Sequence, residues 1–106
     1  MIASDSLRDA GFTVIEATNA DEAISILHSG VKIDLMLSDV RMPGSMDGLG
    51  LLKYSMVNFP ALPVIITSGH LLPEDALSKG ARQFLGKPYS YDHAIALVEL
   101  ELAKSQ

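Results

Sequence analysis

The sequence predicts an α/β fold, with a mostly parallel, doubly wound sheet that carries helices on both faces. Two apolar runs, residues 33–37 and residues 64–67, have the length of buried strands and are too short for typical helices. The stretches around them repeat apolar residues at helical spacing, so strands and helices alternate along the chain. That alternation is typical of parallel sheets joined by right-handed crossovers. At 106 residues, the chain is predicted to form a single domain over residues 1–106.

The first third of the chain reads as helix, strand and helix. Residues 1–10 have helical spacing, and Gly11 stands where a left-handed residue would end that helix. Residues 12–17 alternate well enough between apolar and polar side chains to predict a strand. Asn19 is a good N-cap with a glutamate three residues later, which predicts a second helix to about Ser29.

The rest of the chain continues the alternation. The strand over residues 33–38 leads to Asp39 and a loop rich in proline and glycine. The elements predicted after that loop are a helix over residues 49–57, a buried strand over residues 64–67, a short helix from Pro73 to Gly80, a very short strand over residues 83–85, and a helix from its N-cap Ser90 to about Lys104.

Composition narrows the classes of function. The formal charge of −5 argues against nucleic-acid binding, which needs a basic face. The absence of cysteine excludes disulfides and thiolate metal sites. No apolar run approaches the roughly 18–20 residues that span a bilayer, and the start of the sequence lacks a signal-peptide pattern. We therefore expect a cytoplasmic protein with neither nucleic-acid nor membrane partners.

Polar side chains follow three of the predicted strands. Asp39 ends one strand, Thr67 and Ser68 end the next, and Lys87 lies just past the third. Each residue alone has an ordinary explanation, as a strand cap or a loop lysine. Together they would meet at the carboxyl edge of a parallel sheet, where such folds bind ligands. A carboxylate nucleophile beside a hydroxyl and an ammonium predicts a phosphoryl site.

The sequence resembles the receiver domain of two-component response regulators, which has a flavodoxin-like fold. The matching stretches are residues 34–43 with 46–48, residues 63–70, and residues 80–89. The resemblance implies that Asp39 is the phosphoacceptor and that Lys87 pairs with the bound phosphoryl group. It implies that Ser68, rather than Thr67, supplies the hydroxyl that closes on the phosphate. Phe84 falls at the aromatic switch position.

Two departures from the family pattern matter. The stretch from Ser68 to Lys87 is short, so the helix within it should be stunted. The chain also begins inside what should be the first helix, without the first strand and its acidic pair. Mg²⁺ would then be held only by the Asp39 carboxylate and the Arg41 backbone carbonyl, and we expect weak binding and impaired phosphorylation. Either residues 12–17 pair directly with residues 33–38, or another chain fills the gap, or the protein folds poorly.

Three hypotheses for function follow. The first is a phosphoacceptor that is not an enzyme beyond slow autodephosphorylation. It would receive the phosphoryl group from a sensor histidine kinase or a phosphotransfer protein, and it would bind a downstream protein through residues 73–104. Formation of a homodimer is a further alternative. The second is a degenerate receiver that binds proteins independently of phosphorylation. A phosphatase or phosphotransferase is less favoured, because Arg41 occupies the position where a second acid would be needed. His70 and His93 are expected to face solvent without a role.

Overall fold

The computed structural model describes residues 2–104, with side chains from Ser4 onward. Met1, the first residue of the predicted N-terminal helix, lies outside this range. The helices and strands of the described residues are, in chain order, α1 (Ile2–Asp9), α2 (Ala20–His28), β1 (Met36–Asp39), α3 (Gly48–Asn58), β2 (Val64–Ser68), α4 (Pro73–Leu77), β3 (Gln83–Gly86) and α5 (Tyr91–Lys104). None of the helices within residues 2–104 is long and apolar enough to cross a membrane.

The three strands form one parallel sheet in the order β1-β2-β3. Asp39 at the end of β1 is in register with Thr67, and Ser68 at the end of β2 is in register with Gly86. All five residues of β2 are buried, as expected for the middle strand of a sheet covered on both faces. The predicted α/β class and parallel sheet are confirmed.

Apolar side chains pack on both faces of this sheet, which makes the fold doubly wound. On one face, strand residues Ile65 and Leu85 contact helices α1 and α5 through Leu7, Ala94 and Val98. The other face packs against α3, α4 and the turn before β3, in a cluster formed by Leu52, Val64, Ile66, Ala76 and Ala81. Burying these side chains is the main source of stability.

The helix ends follow the local signals in the sequence. The Asn19 side chain accepts a hydrogen bond from the Glu22 backbone N–H at 2.8 Å, and the Asp47 side chain accepts one from Gly50 at 2.8 Å. Ser90 Oγ accepts the His93 N–H at 3.1 Å, as predicted for the N-cap of α5. The short helix expected after Ser68 is confirmed, because α4 has only five residues.

A buried carboxylate lies where α5 crosses β3. Glu101 is 1% exposed and accepts hydrogen bonds from Gln83 Nε2 at 2.8 Å and Lys104 Nζ at 3.0 Å. Burial by itself would raise the pKa of this carboxyl, but the two hydrogen bonds and the nearby cations outweigh it and hold the pKa below its usual range. Glu101 therefore stays charged and links α5 to the sheet.

The prediction of a strand over residues 12–17 is wrong. This segment forms no strand, and β1 begins at Met36 rather than at residue 33. A strand exists only where a neighbour pairs with its backbone. Here the segment is instead held to the helical layer, because Arg8 donates to the Val14 carbonyl at 3.1 Å and Phe12 packs on the core cluster around Leu7. Of the three alternatives for this segment, direct pairing with residues 33–38 does not occur, and a groove of about 780 Å³ lies between the two segments.

Candidate functional site

The side chains predicted at the strand ends meet at the carboxyl edge of the sheet. Lys87 Nζ lies 2.9 Å from Asp39 Oδ1, in a salt bridge whose side chains are 46% and 26% exposed, respectively. The Thr67 hydroxyl donates a hydrogen bond to the same carboxylate oxygen, Asp39 Oδ1. One oxygen of the carboxylate is thus held by an ammonium and a hydroxyl, while the side chain still reaches solvent.

Backbone hydrogen bonds beyond the regular strands hold these residues in place. Val40 N–H donates to the Thr67 carbonyl at 3.1 Å, and Lys87 N–H donates to the Ser68 carbonyl at 2.9 Å. The sheet pairing therefore continues one residue past β1 and β3. The N-terminus of α3 is tied to the same point, since Gly48 N–H donates to the Val40 carbonyl at 2.7 Å. Hydrogen bonds thus hold the main chain at Val40, directly after Asp39, and at Lys87 itself.

The two candidate hydroxyl groups have different partners. Thr67, which is 2% exposed, contacts Asp39. Ser68 Oγ instead accepts the backbone N–H groups of His70 and Leu71, each at 3.0 Å, and so closes the turn after β2. The contact between Thr67 and Asp39 was missed by sequence reasoning, although the parallel register that places the two residues side by side could have indicated it.

A small cavity of about 130 Å³ opens beside the carboxylate. Its lining includes all the predicted site residues of the three strand ends together with Arg41, Gly69 and His70. His70 is solvent-exposed, as expected, but it borders this cavity, which its position in the sequence did not indicate. His93 lies exposed on α5. Basic and imidazole side chains thus surround a single carboxylate, an arrangement that suits an anionic ligand.

Phe84 and Tyr89 flank the site on the β3 side. Phe84 is partly buried against the cluster that contains Val64 and Ile66. Tyr89 packs on the opposite cluster, and burial, followed by the negative charge of Asp39, raises the pKa of its phenol above the usual value.

The described residues do not by themselves fit a magnesium ion. Mg²⁺ prefers an octahedral set of oxygen ligands with carboxylates to balance its charge. The oxygen ligands predicted for it are the Asp39 carboxylate, which is already paired with Lys87, and the backbone carbonyl of Arg41, a residue that lines the same cavity. Within residues 2–104, no group of three or more histidine, aspartate or glutamate side chains is placed to hold a metal.

Comparison with known proteins decides the family. Residues 1–99 match the family model described as the response regulator receiver domain. The chain belongs to the receiver domain family. NtrC of Salmonella typhimurium, a DNA-binding transcriptional regulator, is 42% identical over 104 residues, which is 95% of this chain and 22% of that protein. The regulator DctD of Rhizobium meliloti, which controls transcription of C4-dicarboxylate transport, is 37% identical over 85% of this chain and 20% of its own length.

Solved structures show the same fold. The receiver domain of NtrX from Brucella abortus superposes with a TM-score of 0.89 at 31% identity, covering 96% of this chain and 88% of that one. The predicted family and the flavodoxin-like receiver fold are thus confirmed. The chain spans about a fifth of the length of the curated relatives it matches. Receiver domains act in two-component signalling as phosphoacceptors, and they generally bind Mg²⁺ in an acidic pocket.

Proposed function

We propose that this receiver accepts a phosphoryl group on Asp39 from the phosphohistidine of a sensor kinase or phosphotransfer protein. One observation carries the proposal: the Lys87 ammonium lies 2.9 Å from Asp39 Oδ1 beside an open cavity at the carboxyl edge of the sheet. Residues 1–106 would act as one such domain. The site pairs a nucleophile with a cation that can neutralise phosphoryl oxygens, which is the main requirement of phosphoryl transfer.

The geometry favours Asp39 Oδ2 as the attacking atom. Oδ1 already accepts the Thr67 hydrogen bond and forms the salt bridge with Lys87, whereas Oδ2 accepts no hydrogen bond from the described residues. In the proposed step, Oδ2 forms a bond to phosphorus as the phosphorus–nitrogen bond of the donor breaks. The electron pair of that bond stays on the imidazole nitrogen of the donor, and the product is an acyl phosphate on Asp39. Lys87 then moves its interaction from the carboxylate to the phosphoryl oxygens.

Ser68 would couple phosphorylation of Asp39 to a conformational change in the rest of the domain. Its oxygen now accepts the His70 and Leu71 N–H groups, and its own O–H would donate to the phosphoryl group. Movement of Ser68 toward that group would loosen the turn between β2 and α4. Phe84 on the neighbouring strand would turn inward at the same time. These movements bias an equilibrium between two conformations of residues 73–104, the surface proposed to bind a downstream protein.

A receiver that binds proteins without phosphorylation is the second candidate. One observation favours it: of the described residues that line the cavity beside Asp39, no other carries a carboxylate to help hold Mg²⁺. This candidate and the first predict different results in a labelling experiment.

The experiment incubates the chain with a small-molecule phosphodonor and magnesium and measures the intact mass and the labelled peptide. We expect slow labelling with one phosphoryl group at Asp39, and none in Asp39→Asn. Lys87→Ala should slow labelling about tenfold or more while changing stability by less than about 1 kcal/mol, because the salt bridge is half-exposed. Lys53→Ala, at an exposed position of α3, is the matched control and should label normally.

Labelling of Asp39→Asn at the wild-type rate would refute the assignment of the phosphoacceptor. A wild-type chain that takes no label, yet binds a partner protein through residues 73–104, would favour the second candidate.

A further inference from the structure

The buried hydroxyl of Thr67 lies against the oxygen of Asp39 that the proposed phosphorylation leaves unmodified. Thr67 is 2% exposed, and its hydroxyl donates to Asp39 Oδ1. The parallel register of β1 and β2 places the two residues side by side. Ile65 and Leu37, each two residues earlier in its strand, belong to the apolar cluster that packs against α1 and α5. Because side chains alternate between the faces of a strand, Thr67 and Asp39 both point to that face.

Thr67 has little freedom to follow a change at Asp39. It lies in the middle strand, in register with Asp39 on one side and Leu85 on the other. Its carbonyl accepts the Val40 N–H at 3.1 Å, and its branched side chain is restricted in χ1. The Lys87 side chain differs, because it is long and 46% exposed and can move to a new negative charge. We therefore expect Thr67 to keep its bond to Oδ1 after phosphorylation.

Phosphorylation would change the charge of the oxygen that Thr67 contacts. In the free carboxylate, Oδ1 shares the negative charge with Oδ2. In the acyl phosphate, Oδ2 is bonded to phosphorus and Oδ1 becomes a neutral carbonyl oxygen. A hydrogen bond to an ionised acceptor is roughly twice as strong as one to a neutral acceptor. The Thr67 hydroxyl thus stabilises the unphosphorylated state of Asp39 more than the phosphorylated state.

We propose that Thr67 shortens the lifetime of the phosphorylated state, an inference that rests on phosphorylation of Asp39 as proposed above. In hydrolysis, the oxygen of a water molecule forms a bond to phosphorus while the bond between phosphorus and Oδ2 breaks. The electron pair of that bond returns to the carboxylate, and the protons of the water stay on the released phosphate. Part of the returning charge develops on Oδ1, where the hydroxyl stabilises it in the transition state. Thr67 acts through Asp39 and is therefore a positioning residue.

The test measures two rates in the full 106-residue chain, the initial rate of labelling and the rate at which the label is lost. The chain is labelled with the small-molecule phosphodonor and magnesium, the donor is removed, and the remaining label is followed by intact mass. Thr67→Val keeps the branched shape without the hydroxyl. It should lose the label about five- to tenfold more slowly than the wild type, because a neutral acceptor forms the weaker hydrogen bond. Labelling should not slow, since the lost hydrogen bond stabilised the carboxylate before its attack.

Three further variants separate the hydroxyl from the shape of the side chain. Thr67→Ser restores the hydroxyl and should lose the label at nearly the wild-type rate. Thr67→Ala, a second variant without the hydroxyl, should match Thr67→Val. Ser55→Ala is the matched control, because Ser55 is fully buried on α3 and its hydroxyl bonds none of the described residues. Removal of that hydroxyl should change neither rate.

Four results would overturn the proposal while leaving phosphorylation of Asp39 intact. The first is loss of the label from Thr67→Val at the wild-type rate. The second is an equally slow loss from Thr67→Ser, which would assign the effect to side-chain shape. The third is a faster loss from Thr67→Val, which would show that the hydroxyl bonds and protects the phosphoryl group. The fourth is failure of both Thr67→Val and Thr67→Ala to fold, which would make the hydroxyl a structural group.

Failure of the proposed function gives a different result. A wild-type chain that takes no label at Asp39 would refute the phosphoacceptor assignment, and the role of Thr67 with it. In each of the four results above, by contrast, the wild-type chain is labelled and only the role of Thr67 is lost.

Discussion

Gly48, the first residue of α3, lies directly against the end of β1, and Gly48→Ala should damage both stability and phosphorylation. A Cβ atom at this position would overlap the Asp39 carbonyl oxygen. It would also lie 2.7 Å from the Asp39 carbonyl carbon and 2.9 Å from Val40 Cα. These are backbone atoms at the end of β1, so they cannot turn away as a flexible side chain would. Either α3 or the end of β1 has to move by about 1 Å or more.

The cost can be worked out from these contacts. Overpacking costs about 1–3 kcal/mol. The displaced helix end also loses the 2.7 Å hydrogen bond from Gly48 to Val40, which contributes about 0.5–1.5 kcal/mol. A destabilisation of about 2–4 kcal/mol is expected, a large part of the roughly 5–15 kcal/mol of a small domain. A shift of about 1 Å in Asp39 should slow labelling about 100-fold.

Gly50→Ala is the matched control, two residues along in the same turn of α3. Its Cβ would meet the Met46 side chain at 2.7 Å, and this chain can move aside. Alanine also favours a helix over glycine by about 0.5–1 kcal/mol, so stability should stay within about 1 kcal/mol of wild type. Urea unfolding and the rate of phosphoryl labelling measure both effects. Equal stability and equal labelling rates for the two alanine variants would refute the proposed close approach.

Three further predictions concern titration and the switch. The pKa of Glu101 is lowered in the folded state, so its stabilising contribution is present above pH 4.5, the usual pKa, and is lost as the pH falls through the folded-state pKa. Glu101→Gln should therefore lose less stability than the wild type on acidification, as measured by urea unfolding. The pKa of Tyr89 is raised in the folded state, so its contribution to stability is present below pH 10.0, the usual pKa, and is lost as the pH rises through the folded-state pKa. Tyr89→Phe should therefore lose less stability than the wild type in alkali. An identical loss of stability in both proteins would contradict this. Ser68→Ala should separate phosphorylation from NMR shift changes in residues 73–104; if it still switches and Thr67→Ala does not, Thr67 is the switch hydroxyl.

Sequence reasoning predicted the features that depend on neighbouring residues. The N-caps Asn19 and Ser90 were found because a capping side chain bonds a backbone group two or three residues away. The apolar runs of β1 and β2 were found because a buried strand must be apolar along its length. The convergence of Asp39 and Lys87 followed from topology, since parallel strands end at one edge of the sheet.

Tertiary structure alone decided what depends on residues distant in the chain. Residues 12–17 have the alternation of a strand, but pairing needs a neighbouring backbone, and here that edge of β1 faces a groove. The placing of His70 at the cavity and the division of roles between Thr67 and Ser68 depend on the register of β1 against β2 and on the turn after it. The periodicity of apolar residues indicates which side of a single segment is buried. Strand pairing and side-chain contacts depend on two segments at once, and only the folded chain determines which two segments lie together.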